Sequence, residues 1–201
     1  MNNYICVNNQ KIALTEEQIA QIVAAQAAGS VKLAEVPVGD TVKIGDHEMV
    51  VLHQSGEETS LIRKELLPDC QFGKNNNYDG SYVDEECNAF SDEIASVVGE
   101  DNMIRHTVDL TTDDGLKDYG QVQRLASLLT ADQYRRFVEV LDMHKPNEWW
   151  WLATAHSTER HGNDVWAKCV SPSGDFDLVD FIYDLGVRPF CILKSNIFVS
   201  K

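Results

Sequence analysis

The stretch "EWWWLATAHSTERHGNDVW", residues 148–166, sets the fold class of the C-terminal third of the chain. Three consecutive tryptophans run into a loop that is crowded with polar and charged residues. Side chains alternate along a strand, so Trp149 and Trp151 should point to one face and Trp150 to the other. At least one face should be core, where each indole N–H needs a hydrogen-bond partner. We therefore expect a strand at residues 149–155, followed by a polar loop.

Three further segments with the composition of strands follow this stretch. Each is rich in β-branched and aromatic residues, and turn residues separate them. They are "VWAKCVSPSG" (165–174), "FDLVDFIYD" (176–184) and "VRPFCIL" (187–193). Within the last of these, Arg188 should make a charge-assisted bond that ties the final strand to the fold. Gly186 should serve a turn, and Pro189 should restrain the start of the strand.

A β-meander is predicted in the first half of the chain. The segment "VGDTVKIGDHEMVVLHQ" (38–54) predicts a hairpin that turns at Gly45-Asp46, and "TSLIRKELL" (59–67) predicts a third strand. The Asn- and Gly-rich segment "FGKNNNYDGSY" (72–82) predicts an irregular loop. The first half should therefore begin with antiparallel strands.

Two helices are predicted between these β-rich regions. Ser81 should cap the first, with Asp84 three residues later, and Thr130 and Gln133 should form a capping box on the second. The apolar positions of the first helix are Cys87, Phe90, Ile94, Val97 and Val98, and those of the second are Tyr134, Phe137, Val138 and Leu141. Strands, two helices and more strands indicate an α+β fold.

Residues 1–30 form a predicted strand–helix extension, and residues 31–201 form the α+β domain. Tyr4 to Asn8 alternates like a strand, and Thr15 is placed as the cap of a helix over residues 15–28. An apolar stripe on that helix makes it our candidate for homo-oligomerisation.

The composition limits the class of partner. The 201 residues carry a formal charge of −15, which argues against binding to nucleic acid or to anionic membranes because like charges repel. No apolar run approaches the roughly 20 residues that span a bilayer, and no secretory signal is visible. Five cysteines without regular spacing fit reduced thiols. These features predict a cytoplasmic location.

The acidic residues suggest a cation site as the lesser of two alternatives. Asp109, Asp113, Asp114 and Asp118 lie close in sequence but do not match the EF-hand spacing. A plain Asp-Gly turn is favoured there, with a structural calcium as the alternative, and no cofactor is otherwise predicted. Seven acidic residues and no Lys or Arg lie between Asp84 and Ile104, which indicates a solvated helix face.

A nucleophilic or zinc site is also weighed against simpler roles. Cys169 with His156 or His161 and Asp164 has the residue types of an activated thiol, but a buried structural thiol is favoured. The same histidines with Glu159 have the residue types of a zinc site, although exposed surface residues are favoured. The chain is therefore not expected to be an enzyme, and an unknown reaction in a Cys/His pocket stays an alternative.

Six phrases along the chain resemble a bacterial and phage domain family of unknown function. They are "VGDTVKIGDHEMVVL", "NNNYDGSYV", "VDLTTDDGLKDYG", "LLTADQYRRF", "WWWLATAHST" and "LGVRPFCIL", within residues 36–199. The last two resemble the core of the C-type-lectin fold, which formylglycine-generating-enzyme-like proteins and the variable proteins of diversity-generating retroelements share. The resemblance implies a C-type-lectin-like fold with the N-terminal extension as a leader.

Two activities of such proteins do not carry over to this chain. Formylglycine-generating enzymes use a closely spaced cysteine pair, whereas Cys169 and Cys191 are 22 positions apart. Calcium-dependent sugar binding uses ligands near a Trp-Asn-Asp segment, whereas Asn163 and Asp164 precede Trp166 here. The resemblance therefore implies a fold more than an activity.

The remaining hypothesis is a recognition surface on the C-terminal loops. Loop 154–165 and segment 173–184 should project from the sheet, with the short polar residues and aromatic anchors that adaptable binding surfaces use. The candidate ligand-binding residues are Thr154, His156, Ser157, Glu159, Arg160, His161, Asn163, Asp164, Trp166, Asp175, Asp177 and Tyr183. In the retroelement-diversified relatives, variable residues cluster in this region. We expect a protein or small-molecule ligand, and a phage or mobile-element origin. An ordinary protein surface is the equally weighted alternative, and a virion-associated assembly component is another.

Overall fold

The computed structural model describes residues 4–7, 10–13 and 29–201. Strands β1 (Tyr4–Val7) and β2 (Gln10–Ala13) pair in antiparallel fashion. The strand predicted from Tyr4 is confirmed, and β2 was not predicted. The predicted helix over residues 15–28 lies outside the described residues.

Fourteen strands and two helices make up residues 29–201. The strands are β3 (Ser30–Lys32), β4 (Thr41–Ile44), β5 (His47–Ser55), β6 (Glu58–Arg63), β7 (Leu67–Gln71), β8 (His106–Asp109), β9 (Gln121–Arg124), β10 (Ala126–Ser127), β11 (Trp150–Ala155), β12 (Trp166–Val170), β13 (Phe176–Asp180), β14 (Asp184–Val187), β15 (Phe190–Lys194) and β16 (Phe198–Ser200). The helices are α1 (Tyr82–Val98) and α2 (Ala131–Met143). The α+β class is confirmed.

The predicted β-meander forms the centre of a seven-stranded sheet. Its order is β10-β15-β6-β5-β4-β16-β3, so the last strands of the chain flank the first ones. The hairpin β4–β5 turns at Gly45, whose φ is +58°, as the sequence predicted. Ser30 pairs with Ser200, so the predicted boundary between residues 30 and 31 falls inside β3.

The C-terminal strands form a five-stranded sheet of order β13-β12-β11-β14-β7. Strand β11, which carries the tryptophans, is its central strand. It pairs antiparallel with β12 and parallel with β14. The short strands β9, β10, β14 and β16 were not predicted from the sequence.

Both helices start at the predicted caps. The Ser81 hydroxyl accepts a hydrogen bond from the Asp84 N–H, and Thr130 and Gln133 form the reciprocal capping box. Cys87, Phe90 and Ile94 of α1 are buried as expected, but Val97 is exposed.

The acidic face predicted on α1 is corrected at its first residue. Asp84 is buried, and both of its oxygens accept from the Arg124 guanidinium, at 2.8 Å from Nε and 2.7 Å from Nη2. These bonds raise the pKa of Arg124. Asp84 and Arg124 are 40 residues apart in the sequence. The local run of acidic residues gives no sign of this distant partner, and it therefore predicted a solvated side chain.

Trp150 and Trp151 anchor the cores on opposite faces of β11. Trp150 packs with Tyr134 of α2, and Trp151 packs edge-on against Phe72 and donates its indole N–H to the Cys70 carbonyl at 2.9 Å. Because Trp150 and Trp151 are both buried, the sheet has two buried faces at this point, whereas Trp149 lies before the strand and is partly exposed. This burial on both faces explains the consecutive tryptophans Trp150 and Trp151.

Arg188 is buried, and it makes the predicted charge-assisted hydrogen bonds to backbone carbonyls. Its guanidinium donates to the carbonyls of Arg63 at 3.0 Å and His144 at 2.8 Å, and lies over the Trp150 ring. Burial lowers its pKa to about 10. The turn predicted at Gly186 is wrong: the residue lies inside β14, where an added Cβ would clash with the Leu66 side chain.

Candidate functional site

The predicted binding loop, residues 154–165, is shorter in the structure, where residues 156–165 connect β11 to β12 and pack against a second loop. We call the first the β11–β12 loop, and we call residues 110–120, between β8 and β9, the acidic loop. The N–H groups of Asp113 and Asp114 donate to the carbonyls of Ala155 at 2.9 Å and His156 at 3.3 Å. Residues about 40 positions apart thus form one continuous surface.

Side chains of the β11–β12 loop bind the carboxylates of the acidic loop. Ser157 donates to Asp114 at 2.7 Å, and Thr158 donates to Asp118 at 2.8 Å. His161 Nδ1 lies 2.9 Å from Asp114, and Arg160 contacts Asp118.

The charge state of Asp114 follows from these contacts. Hydrogen bonds from Thr112 and then from Ser157 hold the pKa of the Asp114 carboxyl well below its usual range, and His161 lowers it further. Bonds to the ionised form favour that form. Asp114 is therefore an anion over the whole range of physiological pH.

The buried residue Asn76 holds the β11–β12 loop in place by hydrogen bonds to the backbone at both ends of the loop. Its side-chain amide donates to the carbonyls of Ser157 at 3.0 Å and Trp166 at 2.9 Å, and its N–H donates to the Asp164 carbonyl. The Tyr119 hydroxyl donates to Asn76 Oδ1 at 2.7 Å. Asn76 is fully buried and was not among the predicted site residues. The only signal was the Asn-rich "NNNYDG" segment, which predicted no more than an irregular loop.

A third contact joins the acidic loop to β12 and α2. Lys168 Nζ lies 3.0 Å from Asp113 Oδ2, and Arg135 lies 3.8 Å from the other oxygen. Lys168 and Arg135 both lie over the Phe176 ring, at 5.2 and 5.1 Å from its centroid. These cations are paired within the chain.

Several of the predicted binding residues do not lie on one common surface. Thr154 is buried, and its hydroxyl accepts from the Ala131 N–H at the start of α2. Asp175 lies in the turn between β12 and β13, at the end opposite the β11–β12 loop. Asp175 and Asp180 are five residues apart, roughly 17 Å along an extended strand. The set therefore divides between the two ends of the β12–β13 hairpin.

Large exposed apolar side chains lie at the end of the hairpin that faces the β11–β12 loop. Trp166 is 40 % exposed, Ile182 53 % and Tyr183 59 %. Trp166 pairs with Asp180, and the Phe181 N–H donates to the Val165 carbonyl at 3.0 Å, so the three lie at the same end. We call Trp166, Ile182 and Tyr183 the apolar tip. Ile182 was not predicted, because one exposed isoleucine carries no signal in a sequence.

Hydrogen bonds hold the backbone of the apolar tip on both sides. The Ile182 N–H donates to Asp180 Oδ1 at 3.1 Å and the Tyr183 N–H donates to the Asp180 carbonyl at 3.1 Å. The Phe181 carbonyl accepts from the Phe72 N–H. The tip is thus mounted on a framework that both neighbouring segments support.

Residues 29–201 do not form the metal site or the activated-thiol site that the sequence analysis considered. No group of three or more His, Cys, Asp or Glu side chains there is placed to hold a metal ion. Cys169 is fully buried, and burial raises its pKa to about 12, which disfavours the thiolate. A polar cleft of about 380 Å³ near the start of α2 is lined by Thr154, Asp113, Arg135 and neighbours, apart from the apolar tip.

Comparison with known proteins found no matching family model, curated protein or solved structure. In the part of the chain that the structure describes, no helix has both the length and the hydropathy to cross a membrane.

Proposed function

We propose that the chain is a recognition module that binds a partner protein through the apolar tip. The observation that carries the proposal is the exposure of Trp166, Ile182 and Tyr183 together at one end of a hairpin. Exposed groups of large apolar side chains mark interaction sites more often than plain surface. Trp and Tyr are also the side chains that dominate binding energy in protein interfaces.

The framework beneath the tip supports this function. The contacts of Asn76, Asp114 and Asp118 use the polar groups of the β11–β12 loop within the chain, which holds the loop in one conformation. A surface that is ordered before binding loses less conformational entropy on association.

A protein partner fits this surface better than a small molecule. The tip lies outside the polar cleft near α2, whereas small ligands are mostly enclosed in clefts. Glu159 and Arg160 are exposed beside the tip and supply the polar rim of a protein interface.

The resemblance to C-type-lectin-like proteins agrees with this proposal. We propose that residues 31–201 carry such a core, with the β11–β12 hairpin at its centre, and that the chain is phage- or mobile-element-encoded and diversified by a retroelement. A cytoplasmic or virion-associated location belongs to the same proposal. The sheet with β11 as its central strand supports the fold.

Panning a phage-displayed random peptide library on the protein tests the proposal. Clones that bind should lose binding to a Trp166→Ala/Tyr183→Ala variant. They should retain binding to Trp149→Ala, which changes a comparably exposed tryptophan at the opposite end of the sheet. Clones that lose binding equally to both variants, or to neither, would overturn the tip as the recognition surface.

An assembly component of a virion or complex is the second candidate. The supporting observation is a groove of about 960 Å³ between β4, α1 and β16, lined by Ile44, Val98 and neighbours. Val97 and Phe198 are exposed beside it, at 54 % and 64 %. Light scattering should detect a symmetric oligomer that Phe198→Ser dissociates, whereas a monomer at all concentrations would exclude this candidate.

A further inference from the structure

The free edge of β13 lies next to the apolar tip. Strand β13 is the first strand of its sheet, and among the described residues it pairs with no strand except β12. A row of N–H and C=O groups at a sheet edge is a template for an added strand.

The register shows which groups of β13 face outward. Phe181 and Asp175, at the two ends of the ladder, bond to residues Val165 and Ser171 on the β12 side. Bonding alternates along an antiparallel pair. The N–H and C=O groups of Phe176, Leu178 and Asp180 therefore point away from β12.

Two of the outward groups are already bonded within the chain: the Asp180 carbonyl accepts from the Tyr183 N–H at 3.1 Å, and the Leu178 N–H is bonded by a side chain. Asp177 Oδ1 accepts from the Leu178 N–H at 2.8 Å. The carboxylate occupies the place where an added strand would put a carbonyl. An incoming strand would displace it and leave the Asp177 charge beside the new strand.

The charge along this edge selects the occupant. Residues 175–184 contain four aspartates and no Lys or Arg. Lys168 and Arg135 lie over the Phe176 ring and are paired with Asp113, and Lys145, which donates to the Ser173 carbonyl, is paired with Asp142. A second copy of this edge would bring acid against acid, and like charges facing each other across strands are destabilising.

We propose that the edge of β13 binds an extended basic segment of the partner protein, which adds a strand to the five-stranded sheet. This inference rests on the proposed function, since it describes how the partner lies against the apolar tip. The segment carries basic side chains at alternate positions, where they meet Asp175 and Asp177 on one face of the sheet, and it places an apolar residue against Ile182 and Tyr183.

The test uses a short synthetic peptide of alternating lysine and threonine, ending in leucine, with amide NMR spectra of the full chain. We expect shifts and slowed exchange at residues 176–180. A peptide of the same charge with methylated backbone nitrogens should bind at least about tenfold more weakly. Equal binding of the methylated peptide, shifts confined to other acidic surfaces, or no binding would each overturn the inference.

A protein variant gives the matching control. Leu178→Pro removes the outward N–H, which edge strands tolerate, and should weaken the peptide at least about tenfold, whereas Leu178→Ala should not. If library clones depend on Trp166 and Tyr183 while residues 176–180 stay unshifted, the β13 inference fails and the proposed function stands. If neither holds, both fail.

Discussion

The Nδ1 atom of His161 lies 2.9 Å from the Oδ2 atom of Asp114, across two loops that are 47 residues apart in sequence. The same Asp114 oxygen accepts from Ser157 at 2.7 Å. The β11–β12 loop, which the sequence predicts as a projecting polar loop, is thus hydrogen-bonded to the acidic loop.

Replacing Asp114 by Asn should reveal a pH-dependent contribution to stability. Because its pKa is lowered in the folded state, first by Thr112 and then by Ser157, the carboxylate stabilises the fold above the ordinary value of about 3.9. This stabilisation is lost as the pH falls through the folded-state pKa. Urea unfolding from neutral pH to below about 4 should show the gap between wild type and Asp114→Asn closing.

A double-mutant cycle with Ser157→Ala is the control for this prediction. The two changes should be non-additive at neutral pH, because they remove the same hydrogen bond, and closer to additive in acid. A gap that does not change with pH would contradict the assignment.

Replacing Asn76 by Ala should destabilise the fold more than replacing its neighbour Asn75. Asn76 is buried and donates to two carbonyls; the Trp166 carbonyl keeps the His156 N–H as a donor, but loss of the bond to the Ser157 carbonyl should cost about 1–3 kcal/mol. Asn75 is exposed, and such changes usually stay within about 0.5 kcal/mol. Denaturant unfolding measures both, and hydrogen exchange should quicken in the β11–β12 loop of Asn76→Ala only. Similar costs for the two variants would exclude the support role.

Replacing Arg188 by Lys should cost about 2 kcal/mol or more in the free energy of unfolding. The planar guanidinium of Arg188 bonds the carbonyls of Arg63 and His144 while it lies over the Trp150 ring. A lysine keeps the positive charge, but its single ammonium group cannot make both hydrogen bonds in that position. Arg136→Lys, on the exposed face of α2, is the matched control and should be nearly neutral. Thermal unfolding of the pair decides, and an equally mild Arg188→Lys would show that charge alone suffices there.

Cys169 should be inert to thiol reagents in the native state. It is buried with a pKa raised to about 12, whereas Cys70 is partly exposed with a pKa raised to about 11. In a Cys6→Ser background, labelling by a disulfide reagent should modify Cys70 first and Cys169 only on unfolding. Rapid native labelling of Cys169 would revive the Cys/His enzyme alternative.

The helix caps, the β4–β5 hairpin and the predicted strand at the tryptophans were accessible from the sequence, because capping, turn and alternation patterns are local. The binding surface was accessible only in part. Trp166 and Tyr183 were identified as anchors by residue type, but Ile182, Asn76 and the acidic loop join the site through pairings that span 14, 90 and 40 residues respectively. Such pairings depend on the register of β11, β12 and β13, which no local pattern encodes.

Mapping one library-selected peptide on the full chain by amide NMR tests the central claim most directly. The account predicts shifts concentrated at residues 158–166 and 180–184, abolished by Trp166→Ala/Tyr183→Ala and retained by Trp149→Ala. Shifts concentrated in the polar cleft near α2, or in the groove between β4, α1 and β16, would contradict recognition by the apolar tip.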